Sequence, residues 1–166
     1  MDTIFKRNSI RSYKSEEVSE ENIKRILRAG MAAPSAENKD PWEFVFTTNR
    51  EILDEIASKH PHAKMVKEAP LCIAICANSE KQPKEGYYIQ DCSAAVENML
   101  LETELLGLGG VWIVAYPHKD LMGIVRDIFN IPSNIHPMAM IAVGHPDEFK
   151  HHITEYDENI VHEDQY

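Results

Sequence analysis

Cys92-Ser-Ala-Ala-Val-Glu-Asn-Met-Leu-Leu-Glu-Thr-Glu-Leu-Leu-Gly-Leu108 is the stretch on which the fold turns. Its apolar positions are 92, 94, 95, 96, 99, 100, 101, 105, 106 and 108. At the helical step of about 100° per residue they spread around most of the circumference rather than marking one stripe. The segment 86–107 is therefore expected to be the longest helix, covered on nearly all sides. In a chain of 166 residues that asks for one large core or for a partner subunit against the helix.

Just upstream, Pro70-Leu-Cys-Ile-Ala-Ile-Cys-Ala77 is a continuous apolar run bounded by Pro and Asn, the pattern of a central strand covered on both faces. Downstream, Gly107-Leu-Gly-Gly110 ends the helix, and strands are expected at 111–114 and 138–143, on either side of a helix at 118–129. Toward the N-terminus, the segment 2–7 can form a short helix with Asp2 in its first turn, followed by a loop from Ser9 to Ser15. Ser19 caps a helix that Pro34 stops, 43–46 reads as a strand, Asn49 caps a helix through Ser58, and a short helix covers 61–68. The order α-α-β-α-α-β-α-β-α-β predicts an α+β or three-layer α/β arrangement in a single domain, 1–166. A polar, acidic, His-rich tail over 145–166 has no packing period of its own, and a neighbouring subunit would give it a surface.

Composition narrows the function classes. With 43% hydrophobic and 27% charged residues the chain looks like an ordinary globular protein. Its net charge of −10 argues against general nucleic-acid binding, because phosphates would be repelled. A local anionic ligand is still allowed, since Lys6, Arg7 and Arg11 cluster near the start. Cys72, Cys76 and Cys92 form no even framework and read as reduced, buried thiols of a cytoplasmic protein. No secretory leader and no membrane-spanning run are expected from the sequence.

Three motifs bear on chemistry. Arg7-Asn8-Ser9-Ile10-Arg11 puts two guanidiniums and a hydroxyl within five residues, a donor set suited to a phosphate monoester or to surface carboxylates. Ala33-Pro34-Ser35-Ala36-Glu37-Asn38, followed by Pro41-Trp42, is a turn rich in loop formers, and Ser35 lacks the flanking glycines of a hydrolase nucleophile. Gly107-Leu-Gly-Gly110 follows a helix and so fails as a dinucleotide fingerprint. Its glycines would admit a planar ligand to backbone amides or allow a tight helix-to-strand turn. The eight histidines show no paired metal spacing, so no metal site is expected and most of them are expected to be exposed.

By order and spacing, KRNSIRSY near the start, APSAENKDPW, the buried helix running into LGLGGVW, and MAMIAVGHP with its tail resemble the nitroreductase family across essentially the whole chain. The resemblance implies a three-layer α/β/α fold with a mainly antiparallel central sheet, in an intertwined homodimer with two FMN molecules at the subunit interface. It implies that Arg7, Asn8, Ser9 and Arg11 hold the FMN phosphate and the polar edge of the ring. Pro34, Ser35, Ala36 and Asn38 would reach the flavin from the other subunit, and Ile113, Val114 and Ala115 would lie beside the ring, giving a backbone N–H to its N5. Lys150 and His152 match a basic stretch that completes the phosphate site.

The implied activity is a ping-pong reduction of nitroaromatics, quinones or similar flat electrophiles, with hydride from NADH or NADPH and no catalytic side chain. Dehalogenation, dehydrogenation or flavin fragmentation on the same fold, or a non-catalytic flavin-binding dimer, are the alternatives. No inserted lid is evident, which favours an open pocket. The chain departs from the family pattern at Asn8, where a basic residue is common, at Ala115, where glycine is frequent, and at Glu155, where arginine is frequent.

Overall fold

Four strands form one antiparallel sheet in the order β1-β2-β4-β3 in the computed structural model, which describes residues 3–150 and 154–166. They are β1 (Trp42–Thr47), β2 (Leu71–Asn78), β3 (Gly109–Val114) and β4 (Ile135–Gly144). The helices are α1 (Thr3–Lys6), α2 (Glu20–Met31), α3 (Arg50–Lys59), α4 (Glu85–Leu105) and α5 (Lys119–Phe129). Asp2 lies outside the described residues.

The apolar run expected to be central is β2, buried from Leu71 to Ala77. Its side chains alternate between two cores. Leu71, Ile73, Ile75 and Ala77 join α2 and α4 on one face, while Cys72, Ala74 and Cys76 join α3 and α5 on the other. That is the three-layer arrangement, with helices on both faces of the sheet. All three thiols are buried, and burial pushes each up to about 12, so thiolate chemistry is suppressed.

Local signals set the helix ends. Ser19 Oγ accepts the Asn22 N–H at 3.3 Å, and Asn49 Oδ1 accepts the Glu51 N–H at 2.9 Å. The helix expected over 61–68 is only a 3-10 turn at Lys64–Lys67, closed by i→i−3 bonds from the Val66 N–H to Ala63 O and from the Glu68 N–H to Met65 O. Within one chain α4 is covered on fewer sides than its composition suggests. Cys92, Ala95, Val96, Met99 and Leu100 are buried, but Leu105 is 57% exposed and Leu101 is half-buried.

The glycine run serves the chain itself. Gly107 adopts φ 72°, the left-handed turn that ends the helix, and a Cβ on Gly109 would lie 2.8 Å from the Ile10 side chain. The second of the two open readings of LGLGG therefore holds, with the close approach made by the N-terminal segment. Beyond β4 the tail is exposed at every described position from 154 to 166, with a single 3-10 turn at Glu158–Ile160.

Candidate functional site

The expected site residues fall into two groups at opposite ends of the sheet. The first sits where β3 begins. Ser9 bridges Gly110 in parallel, and the Ile10 N–H donates to Gly110 O at 3.0 Å on the side of β3 away from β4. Tyr13 reinforces the attachment by donating its hydroxyl toward Ile10 O and Ala142 O.

These bonds pin Arg7–Arg11 beside the first residues of β3. Arg7 Nε lies 3.2 Å from Glu97 Oε1 of α4, an ion pair whose angle falls short of a hydrogen bond, so among the described residues that buried N–H has no acceptor. The Asn8 amide donates to Lys6 O at 2.8 Å and to Lys150 O at 3.2 Å. Lys150 Nζ donates to Ser9 O at 2.9 Å and pairs with Glu148 at 3.0 Å. Arg11 gives its backbone N–H to Glu148, while its guanidinium is exposed and among the described residues reaches only Ser9 O at 3.4 Å. The Arg11 N–H, and after it the Lys150 ammonium, hold the Glu148 carboxyl below the usual carboxylate range. Arg7, Asn8, Ser9, Arg11 and Lys150 are thus brought into one neighbourhood, beside a cavity of about 420 Å³ that Asn8, Ile10, Glu148 and Lys150 help to line and that Arg7, Ser9 and Arg11 do not. His152 lies outside the described residues.

The second group sits at the far end of the sheet, where β1 starts and β3 stops. Ser35 accepts the Asp40 N–H at 3.0 Å and donates to Asp40 Oδ1 at 2.6 Å, closing the turn that Pro34 opens. Glu37, Asn38 and Asp40 all carry positive φ, a strained run for three residues with side chains. Asp91 of α4, 5% exposed, accepts the Ala36 N–H at 2.9 Å, and among the described residues its other oxygen is buried without a donor. The Ala36 carbonyl faces the buried Gln82 amide at 3.5 Å. Tyr116 reaches the same end of α4 through Glu85, at 3.2 Å.

Ile113 and Ala115 are buried and Val114 half-buried. His60, expected to be exposed with the other histidines, is instead 1% exposed, with Nε2 2.9 Å from Val114 O. His60 and Asp91 were both missed as site residues. Asp91 could have been found, because positions 88, 91, 92, 95 and 99 share the buried side of α4 and a carboxylate there is out of character. His60 carries no such signal, since it follows a helix whose period ends before it.

A family model described as Nitroreductase matches residues 4–60 and 57–145. A protein of Methanothermobacter thermautotrophicus, provisionally named an NADH dehydrogenase/NAD(P)H nitroreductase, is 43% identical over 148 residues, 89% of this chain and 78% of that one. The solved structure of a protein with the same provisional name from Parabacteroides distasonis matches with a TM-score of 0.95 and 39% identity, covering 99% of this chain and 97% of that one. An FMN-dependent nitroreductase of Clostridium difficile matches with a TM-score of 0.91 and 30% identity over 99% and 98% of the two chains. Together with the antiparallel sheet and its flanking helices, these matches establish that the chain belongs to the Nitroreductase family.

Proposed function

We propose that this protein is an FMN-dependent oxidoreductase that takes hydride from NADH or NADPH and reduces nitroaromatics, quinones or similar flat electrophiles, working as a homodimer. The observation that carries the reading is the cationic cluster of Arg7, Arg11 and Lys150, gathered at one end of the outer edge of β3 in a chain of this family. FMN, when bound, supplies a two-electron carrier that nicotinamide can charge and an acceptor can discharge in turn.

The residues present fit that cofactor. Two guanidiniums, an ammonium and the Ser9 hydroxyl form a donor set matched to a phosphate monoester. One buried guanidinium N–H is still without an acceptor among the described residues. From Gly110 to Ala115, β3 extends about 17 Å at the usual strand rise. A phosphate held at Arg7 and Arg11 would therefore leave the ring near Ile113, Val114 and Ala115. Glu148 already offers a carboxylate to Arg11 and Lys150, and it would have to share those donors.

The chain's own part is to bind, orient and exclude water. Arg7, Arg11 and Lys150 fix the phosphate, Asn8 and Ser9 the neighbouring polar edge, and the buried apolar floor of β3 keeps water from the strand end. Pro34, Ser35, Ala36 and Asn38 would close the site from a second copy, because in their own chain they lead into β1, at the edge of the sheet opposite β3. The exposed tail would lie on that copy, consistent with its lack of burial at home. Among the described residues no helix is long and apolar enough to cross a membrane.

The test is a visible spectrum of the purified protein, then anaerobic titration with each pyridine nucleotide and steady-state kinetics with a quinone. Bound flavin bleached by one nucleotide, with parallel double-reciprocal plots, is the expected result. A colourless protein that does not take up FMN would overturn the reading, and so would bound flavin that neither nucleotide bleaches.

A further inference from the structure

His60 has no place in the reading above, yet it is the one histidine among the described residues that is fully enclosed, at 1% exposed. Its two ring nitrogens are both occupied. Nδ1 lies 3.3 Å from the backbone nitrogen of His62, which can only donate, so Nδ1 carries the lone pair. The ring proton is then on Nε2, which donates to Val114 O at 2.9 Å. Burial acts in the same direction by lowering the imidazole's affinity for a second proton. His60 is thus a neutral strut between the end of α3 and the end of β3.

The carbonyl that it holds is not an arbitrary one. Gly110 O turns away from β4 to accept the Ile10 N–H, and backbone groups alternate sides along a strand, so the polar groups of Val114 face that same outer edge. Further bonds fix the chain just beyond, with the Tyr116 N–H on Met138 O and the His118 N–H on Ala115 O, each at 3.0 Å. His60 supplies the remaining constraint on the residue that turns its N–H and carbonyl outward.

The geometry points to His60 as a positioning residue: through the Val114 carbonyl it fixes the backbone donors of the β3 end that would face the flavin ring, and so sets the bound cofactor's potential. This rests on the proposed FMN site. Hydrogen bonds to the ring are what a protein uses to tune a flavin, so a strand end held at a different angle changes the relative affinity for the oxidised and reduced cofactor. A histidine that merely satisfied a stray carbonyl would contribute stability and nothing else.

The experiment compares FMN-loaded wild type, His60→Leu and His60→Gln by midpoint potential, visible spectrum and thermal midpoint. His60→Leu retains FMN, because the phosphate end is about 17 Å away along β3. It changes the ratio of affinities for oxidised and reduced FMN by about tenfold, which is about 30 mV for a two-electron couple. His60→Gln, with an amide N–H to offer Val114, recovers most of that shift. A His60→Leu protein that is less stable but keeps the wild-type potential and spectrum overturns the assignment.

Should His60→Leu fail to fold, the wild type decides. The Nε2–H proton resonance of His60 moves when FMN is added, and a resonance that stays in place overturns the assignment. Wild type that takes up no FMN fails the proposed site itself, whereas wild type that binds FMN with an indifferent His60 sinks this inference alone.

Discussion

Replacing Arg11 with alanine separates the roles that its backbone and side chain play. The backbone N–H that holds Glu148 survives the substitution, as does the loop anchored by Ile10 on Gly110 O. What is lost is an exposed guanidinium whose one hydrogen bond among the described residues is the long 3.4 Å contact to Ser9 O. The fold should therefore be indifferent to it, with a thermal midpoint within about 2 °C of wild type. If the guanidinium grips a phosphate, one charge-assisted contact worth about 1.5–3 kcal/mol disappears, and the FMN dissociation constant rises by about ten- to 150-fold. Solvent exposure and screening place the effect at the lower end in physiological salt and higher at low ionic strength.

The assay is a fluorescence titration of FMN with flavin-free protein at two salt concentrations, repeated with riboflavin, which lacks the phosphate. Lys24→Ala serves as control, removing one surface charge paired with Glu20 at 3.7 Å. Arg11→Ala binding FMN as tightly as Lys24→Ala would refute the reasoning. Equal weakening toward riboflavin would show that the contact is not with phosphate.

Three further outcomes follow from particular contacts. A chain ending before residue 154 should lose its dimer and its flavin together, since the exposed tail is read as the part that lies on the second copy; sedimentation showing a flavin-loaded monomer contradicts this. Gly30→Ala should destabilise by up to about 2 kcal/mol, because the new Cβ would come 2.9 Å from Met99 Cγ and Sδ, and overpacking exceeds the helix-propensity gain of about 1 kcal/mol; a denaturation midpoint at or above wild type counts against the α2–α4 packing described. Stability should fall steeply above pH 9, where unfolded thiols ionise at their ordinary value of 9.0 while the buried ones resist until about 12. The folded state holds the extra protons in that window, so each thiol costs about 1.4 kcal/mol per pH unit as pH rises; Cys72→Ala/Cys76→Ala/Cys92→Ala should flatten that slope, and an unchanged slope would show that the thiols do not cause it.

Much of this was legible because periodicity and burial share a cause. The Leu71–Ala77 run fits a strand covered on both faces by its length and lack of alternation, and Ser19, Asn49 and Gly107 mark helix ends by chemistry that acts within a few residues. The site was legible only as fragments. Arg7 to Arg11 could be read as a phosphate cradle or as surface ion pairing, and the contacts in the structure are of the second kind, with Arg7 against Glu97 and Lys150 against Glu148. Such pairings join residues far apart in the chain, and no local pattern encodes them. The same holds for His60 on Val114 and Asp91 on Ala36, where a buried polar side chain satisfies a backbone group on another element. Hydrophobic spacing can say that a position is inside, and it cannot say which orphaned carbonyl or N–H the position exists to meet.

The placement of the two residue groups bears directly on the proposal of a second copy. Arg7–Arg11 lie beside the first residues of β3, at one edge of the sheet. Pro34–Asn38 lead into the first residue of β1, at the other edge and the other end. The offset is about 14 Å across three strand spacings and about 20 Å along the strands. The sheet and α4 lie between the two groups, so within one chain the turn does not face the β3 edge along which the flavin is proposed to run. A two-fold partner removes the difficulty, because the turn of each copy can then approach the β3 edge of the other. The strain at Glu37, Asn38 and Asp40 also gains a reason, since a turn braced by a buried carboxylate and a buried amide is stiff enough to project across an interface. In the proposed dimer the half-buried and exposed apolar side chains of α4, Leu101 and Leu105, and the exposed tail would have one explanation, as surface that one copy leaves for the other to cover.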